Sequence, residues 1–302
     1  MSIDNRFKGI VYMLLAALGF SIMGGAAKIM KGSFGAGQLV FWRNAIGLLL
    51  LLVSFKIKPA VSRGGKPGLL IFRGLMGTLA LYALLYCILH IPLGTAMTYN
   101  LSSALFIAIF SFLLFKEYHG RIVLFAVLLG FFGLLLVYKP SLEIPWYYHL
   151  AGLITGICSA LAYMSVNRLA PYYDRRIIML AFILCGSIVP VLFMIVQSVF
   201  HFSPDPVFMI GWQWPQGDEW LYIGWLGLSA YFGQYFVTMA YASDKAGIVS
   251  AINYVSILFA VAIGVALGDA WPDLISATGM FCIIACGIII SVVKWRSRTP
   301  TG

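Results

Sequence analysis

The sequence predicts an all-α membrane protein of ten transmembrane helices, arranged as two inverted five-helix repeats. Three observations predict it. The 302 residues are 62% hydrophobic and only 10% charged, where soluble domains carry about 25% charged residues. The charges gather between apolar runs, each near the roughly 20 residues that cross a hydrocarbon core. The chain also repeats itself. A shift of 153 residues lays Gly74–Leu114 on Gly227–Leu267 with 9 identities, where residue frequencies give about 3 or 4 by chance.

The first span, Lys8–Lys28, follows Arg6 and has no signal-peptide cleavage site. The second, Ala36–Phe55, carries Arg43 and Asn44, and the third, Gly68–Leu89, carries Gly74 and Gly77. Pro92 opens the fourth, Leu93–Phe115, at a position where proline is tolerated. The fifth, Arg121–Tyr138, contains Gly130 and Gly133; the sixth, His149–Arg168, contains Gly152 and Gly156. Such small-residue pairs let helix backbones approach closely. Pro190 should kink the seventh span, Arg176–Phe200. A segment rich in Pro, Trp and acids over 201–219 is expected to form a surface loop. Trp220–Tyr241, Ala246–Leu267 and Leu274–Lys294 complete the ten.

With the N-terminus inside, the inner segments hold 15 Lys and Arg residues and the outer segments 3, namely Lys28, Lys31 and Lys139. The positive-inside rule then places both termini in the cytoplasm. The net charge of +10 is thus a topology signal rather than a nucleic-acid footprint. Five spans per half is odd, so residues 141–302 form a second repeat upside down relative to residues 1–140. Inverted repeats place a solute site near the midplane between them. The outer spans repeat more weakly: Phe20 meets Tyr163 at a shift of 143.

Both copies place an Asn and a Ser three residues apart inside an apolar run, Asn100 with Ser103 and Asn253 with Ser256, hence on one helix face. The third span adds Thr78, Tyr82 and Tyr86. The eighth adds Tyr231, Gln234, Tyr235 and Thr238, and Tyr99 and Tyr254 precede or follow the asparagines. Singly, such groups tie helices together through hydrogen bonds; repeated across an inverted pair, they are expected to line one cavity. Arg43 is the sharpest signal, because a charge inside a span needs a cavity or a partner. It is a candidate for a substrate carboxylate or phosphate, unless it snorkels to the interface. Arg73, five residues into the third span, is expected to snorkel. Lys28 reads as an interfacial anchor.

No Asp, Glu or His lies deep in a span. Coupling through a buried carboxylate is therefore not expected, nor is catalysis by paired acids or a nucleophile with its base. The five cysteines lie in apolar runs and read as small apolar fillers, without metal, cofactor or disulfide.

Ten spans in two inverted halves resemble the drug/metabolite transporter superfamily, specifically its EamA-type permeases. The stretches carrying the resemblance are FWRNAIGLLLLL (Phe41–Leu52), FRGLMGTLALYALLY (Phe72–Tyr86), FLLFKE (Phe112–Glu117) and GVALGDAWPD (Gly264–Asp273). In the last of these Asp269 stands where the family often has Glu. The resemblance implies alternating-access movement of small organic solutes across a bacterial inner membrane. It also implies a central cavity lined by the third, fourth, eighth and ninth spans, with help from the first and from the sixth, where Tyr163 sits. The expected substrate is an amino-acid-like, amphipathic or anionic metabolite moved by an exporter or facilitator, a non-enzymatic monomer whose other partners are membrane lipids. A lipid or lipid-linked flippase, and a non-transporting structural or enzymatic membrane protein, remain as alternatives.

Overall fold

A computed structural model describes residues 8–60, 62–115, 120–138, 145–200, 212–243 and 253–296. Among them all regular structure is helical. In order the helices are α1 (Lys8–Ile29), α2 (Ala36–Ile57), α3 (Pro67–His90), α4 (Leu93–Leu101), α5 (Ser103–Phe115), α6 (Gly120–Tyr138), α7 (Trp146–Leu169), α8 (Arg175–Phe200), α9 (Glu219–Ser243), α10 (Val255–Ala266) and α11 (Leu274–Arg296). Most of the expected 201–219 loop and the first seven residues of the ninth span lie outside the described residues.

Five helices contain segments long and apolar enough to cross a membrane: Gly9–Ile29, Ala36–Ile57, Pro67–His90, Trp146–Val166 and Arg175–Val196. Their outward faces stay apolar. Leu49 on α2 is 65% exposed, and Leu192 and Ile195 on α8 are each 54% exposed. In water a surface of this kind would associate; against lipid tails it needs no cover.

The expected fourth span is not one helix. It breaks at Ser102, whose backbone has φ −62 and ψ −11. The Ser102 hydroxyl donates to the Tyr99 carbonyl at 2.6 Å, a local bond that competes with the helix ladder. The second copy breaks in the same way. Tyr254 has φ −64 and ψ −17, and the Ser256 hydroxyl donates to the Asn253 carbonyl at 2.7 Å. The two breaks touch, with the Tyr254 hydroxyl 3.5 Å from the Leu101 carbonyl.

Packing between helices of residues 1–140 and those of 141–302 follows a pattern. α1 packs on α9 and α3 on α7; α2 packs on α9 and α3 on α8; α1 packs on α10, and α4 and α5 on α7. α2 also packs on α8, α4 on α10 and α6 on α11. Glycines set the closest of these approaches. A Cβ at Gly74 would sit 2.8 Å from the Ala181 carbonyl oxygen, and one at Gly133 2.8 Å from that of Gly279. Any side chain there would push α3 from α8, or α6 from α11.

Polar contacts stitch the bundle at both ends. Arg176 donates to the carbonyls of Ser54 at 3.2 Å and Lys58 at 2.6 Å, fixing the start of α8 to the end of α2. Asp174 caps α8 by accepting from the Arg176 amide at 2.9 Å. Burial alone would raise the Asp174 carboxyl, but this bond and the Arg176 guanidinium hold it below its ordinary value. At the opposite end Lys28 is ion-paired with Asp269 and donates to the Ile91 carbonyl at 3.1 Å. Asp269 accepts from the Leu93 amide at the start of α4, at 2.8 Å. Lys28 is therefore not a simple interfacial anchor; it joins α1 to a turn that follows α10. Gly268, at φ +96, makes that turn possible, since side-chain-bearing residues rarely adopt such a backbone.

Candidate functional site

The helix period decides which residues can converge. On α7, Gly152, Gly156, Ser159 and Tyr163 follow one another at intervals of four, three and four, so they share a face. Gly152, Gly156 and Ser159 are buried. The opposite face, with Leu150, Ile154, Ile157, Leu161 and Met164, is the partly or fully exposed one. Tyr163 is nonetheless 43% exposed. Tyr163 thus combines the packed azimuth of α7 with an accessible side chain.

Two arginines reach the neighbourhood of Tyr163, close enough to interact with it electrostatically. Arg43 lies seven residues past Ala36 and Arg73 six past Pro67, roughly 10 Å along each helix at 1.5 Å per residue. The connected helices run in opposite directions, so the two side chains come from opposite ends. Both are only 6% exposed, and both lie over the Phe182 ring of α8, at 5.3 Å and 5.1 Å from its centroid. Arg43 donates from Nη1 to Asn44 Oδ1 at 3.0 Å, and Asn44 in turn donates to the Val40 carbonyl at 2.9 Å. Arg43 Nε, Arg73 Nε, Arg73 Nη1 and Thr78 Oγ1 are buried without a hydrogen-bond partner. Neither guanidinium belongs to an ion pair among the described residues. A charge at a helix centre costs about 2.5–3.5 kcal/mol on insertion scales, so an unpaired pair of them is a strong demand for an anion.

Arg73 was expected to snorkel, and the structure corrects that. Depth along the helix argued for the interface, but azimuth decides: Arg73 precedes by four residues Gly77, where an added Cβ would sit 2.8 Å from Phe182. It therefore shares the packing face of α3. Phe182 carried no sequence signal of its own.

The remaining candidates fall into three groups. Asn100 is half-buried and accepts at Oδ1 from Ser159 on α7 at 3.1 Å; Asn253 is half-buried, and Ser103 and Ser256 are buried. Tyr82 is half-buried and lies against Gly37, where a Cβ would come within 2.7 Å of its hydroxyl. Gln234 and Tyr231 are half-buried on α9. A second group serves packing. Tyr99 is fully buried and bonded to His149 Nδ1 at 2.8 Å, which ties α4 to α7. Tyr86 is buried against His90, ring centroids 4.5 Å apart, with Tyr148 beyond at 5.6 Å. Tyr235 forms the third group alone. It continues the exposed stripe of Leu221, Trp225, Leu228 and Phe232, so it faces outward and not toward the other polar residues. Thr238 is not described at its side chain.

A separate cleft of about 280 Å³ lies at the end bearing Lys28, bordered by Thr95, His149, Asp269, Trp271 and Asp273 among others. None of the expected site residues borders it. Among the described residues no cluster of His, Cys, Asp or Glu could hold a metal.

A bundle of apolar helices with lipid-ready outer faces and buried polar groups defines a multi-pass membrane protein. Residues 7–139 match the EamA-like transporter family. The chain is 33% identical to an uncharacterized transporter of Helicobacter pylori, covering 94% of each chain. It is 30% identical to the pseudopaline exporter CntI of Pseudomonas aeruginosa, over 97% of this chain and 99% of that one. Human solute carrier family 35 member G1 is 23% identical over 95% of this chain and 80% of its own length. The chain belongs to the EamA-like transporter family, and it is a transporter. A solved crystal structure shares the fold with a TM-score of 0.64 at 19% identity, over 97% of this chain and 100% of the other.

Proposed function

We propose that this transporter moves a small organic metabolite by alternating access between two inverted five-helix repeats, residues 1–140 and 141–302. The carrying observation is Tyr163, accessible on the packed face of α7 beside two buried arginines. It supports an internal, solute-sized space bordered by Arg43, Asn44, Thr78, Tyr82, Asn100, Ser103, Tyr231, Gln234, Asn253 and Ser256. The packing pattern supports the repeat. If α1, α2, α3, α4 with α5, and α6 correspond to α7, α8, α9, α10 and α11, then every contact named above has its image under exchange of the halves. The local irregularities at Ser102 and Tyr254 fit the same exchange to within one residue.

The charge asymmetry supports a bacterial inner membrane location with both termini cytoplasmic. An exporter or facilitator fits the absence of acids from the spans and the exporter among the relatives. Nothing in this reading requires catalysis. Asn100→Ala and Asn253→Ala should each reduce flux at least several-fold in proteoliposomes while the purified proteins keep wild-type elution and melting behaviour. Unchanged flux in both variants would remove the asparagines from the site.

A further inference from the structure

We propose that the solute is an organic dianion carrying two carboxylates, one taken by Arg43 and the other by Arg73, with its carbon skeleton beside Tyr163. This deepens the transporter reading and rests on it.

Four observations carry the assignment. Both guanidiniums are nine-tenths buried, and neither has a carboxylate partner among the described residues. Three of their donor nitrogens, Arg43 Nε, Arg73 Nε and Arg73 Nη1, have no acceptor. An arginine retained only to tie helices would spend its planar fork of donors on carbonyls, as Arg176 does on Ser54, Lys58 and Pro59. These two do not. They also converge, since both lie within about 5.3 Å of one ring, and two like charges brought together in a medium of low dielectric repel unless negative charge lies between them. Finally, Tyr163, the exposed residue of the packed α7 face, lies within electrostatic reach of both arginines.

A guanidinium matches a carboxylate with two parallel hydrogen bonds. A single carboxylate satisfies one arginine and leaves the other uncompensated, whereas two carboxylates on one skeleton satisfy both. A zwitterion would bring its ammonium toward one of the two cations and be disfavoured. Phosphate esters share the doubly charged oxyanion chemistry but concentrate it at one point; they form the comparison arm of the test.

The full chain in detergent would be titrated by calorimetry with a panel of dicarboxylic acids of four to eight carbons, their monoacid and diamide counterparts, and glycerol phosphate. At least one diacid should bind, its monoacid at least 10-fold more weakly and its diamide not measurably. Arg43→Gln and Arg73→Gln should each lower that affinity 10-fold or more. Without ligand the same variants should melt at or above the wild-type temperature, because each removes an unpaired buried charge. A structural role predicts the opposite shift. Diacids binding no better than monoacids or diamides, tighter binding of glycerol phosphate than of any diacid, or retention of affinity in both variants would overturn the proposal. Counterflow in proteoliposomes separates the two readings. A diacid that binds through the arginines but is not moved refutes transport of that solute class and leaves the site intact. Movement of a neutral solute that no diacid inhibits leaves transport standing and refutes the dianion.

Discussion

At the scale of single residues, the decisive distinction is between a side chain that faces lipid and one that faces an internal space, since both are exposed. Tyr163 and Tyr235 are exposed to similar extents, 43% and 49%, yet one stands on the packed face of its helix and the other on the outward stripe. The thiolate is the form that reacts with maleimides, and a hydrocarbon surround suppresses it. In a variant lacking the five native cysteines, Tyr163→Cys should therefore react with a water-soluble maleimide at least 10-fold faster than Ile157→Cys on the opposite face of α7. A Tyr163→Cys rate as slow as that of Ile157→Cys would mean that no water reaches Tyr163. Sequence could name Arg43, because a charge after seven apolar-helix residues is conspicuous. It misplaces Arg73, because depth along α3 points to the interface whereas azimuth turns the side chain into the packed face. Tyr235 failed differently: its repeat partner Tyr82 packs against Gly37, and equivalence by a 153-residue shift does not guarantee an equivalent neighbourhood.

At the scale of elements, span boundaries were legible because hydropathy and charge mark them; α2 and α3 begin and end within two residues of the expected limits. The break at Ser102 was not legible, since a serine hydroxyl turned back on a carbonyl three residues earlier leaves no trace in composition. Nor was the junction at the far end of α1, where Lys28, Asp269 and the first amide of α4 meet. Both side chains are only about an eighth exposed (13% and 12%), so screening is incomplete and the pair should couple more strongly than surface pairs. A double-mutant cycle of Lys28→Met and Asp269→Asn, read by thermal or denaturant unfolding in detergent, should give a coupling of about 1–3 kcal/mol. Asp269→Asn should be the more damaging single change, because it strands Lys28 and weakens the bond to Leu93. Additive single effects would show that the ion pair contributes nothing to holding α1, α4 and the turn after α10 together.

At the scale of the whole molecule, the exchange relation among helix contacts implies a partner conformation. If the two halves are the inverted repeats proposed above, they can trade conformations, and trading them opens one end of the bundle while closing the other. The Lys28–Asp269 junction breaks the symmetry. Under shifts of 143 and 153 residues its counterparts are Pro171 and Lys116, which cannot form an ion pair. Among the described residues, Lys28–Asp269 is the ion pair that joins residues 1–140 to residues 141–302, and it acts as a latch at its end of the bundle. If it must open in each cycle, linking its two sides should stop transport. Lys28→Cys with Asp269→Cys, in the cysteine-free background and bridged by a short cleavable bifunctional thiol reagent, should lose nearly all flux in proteoliposomes and regain it on reduction. Each single cysteine treated alike should keep most of its flux, since one tethered side leaves the halves free to separate. Full flux in the bridged protein would mean that this end stays shut throughout the cycle, and that the solute leaves by a path between other helices.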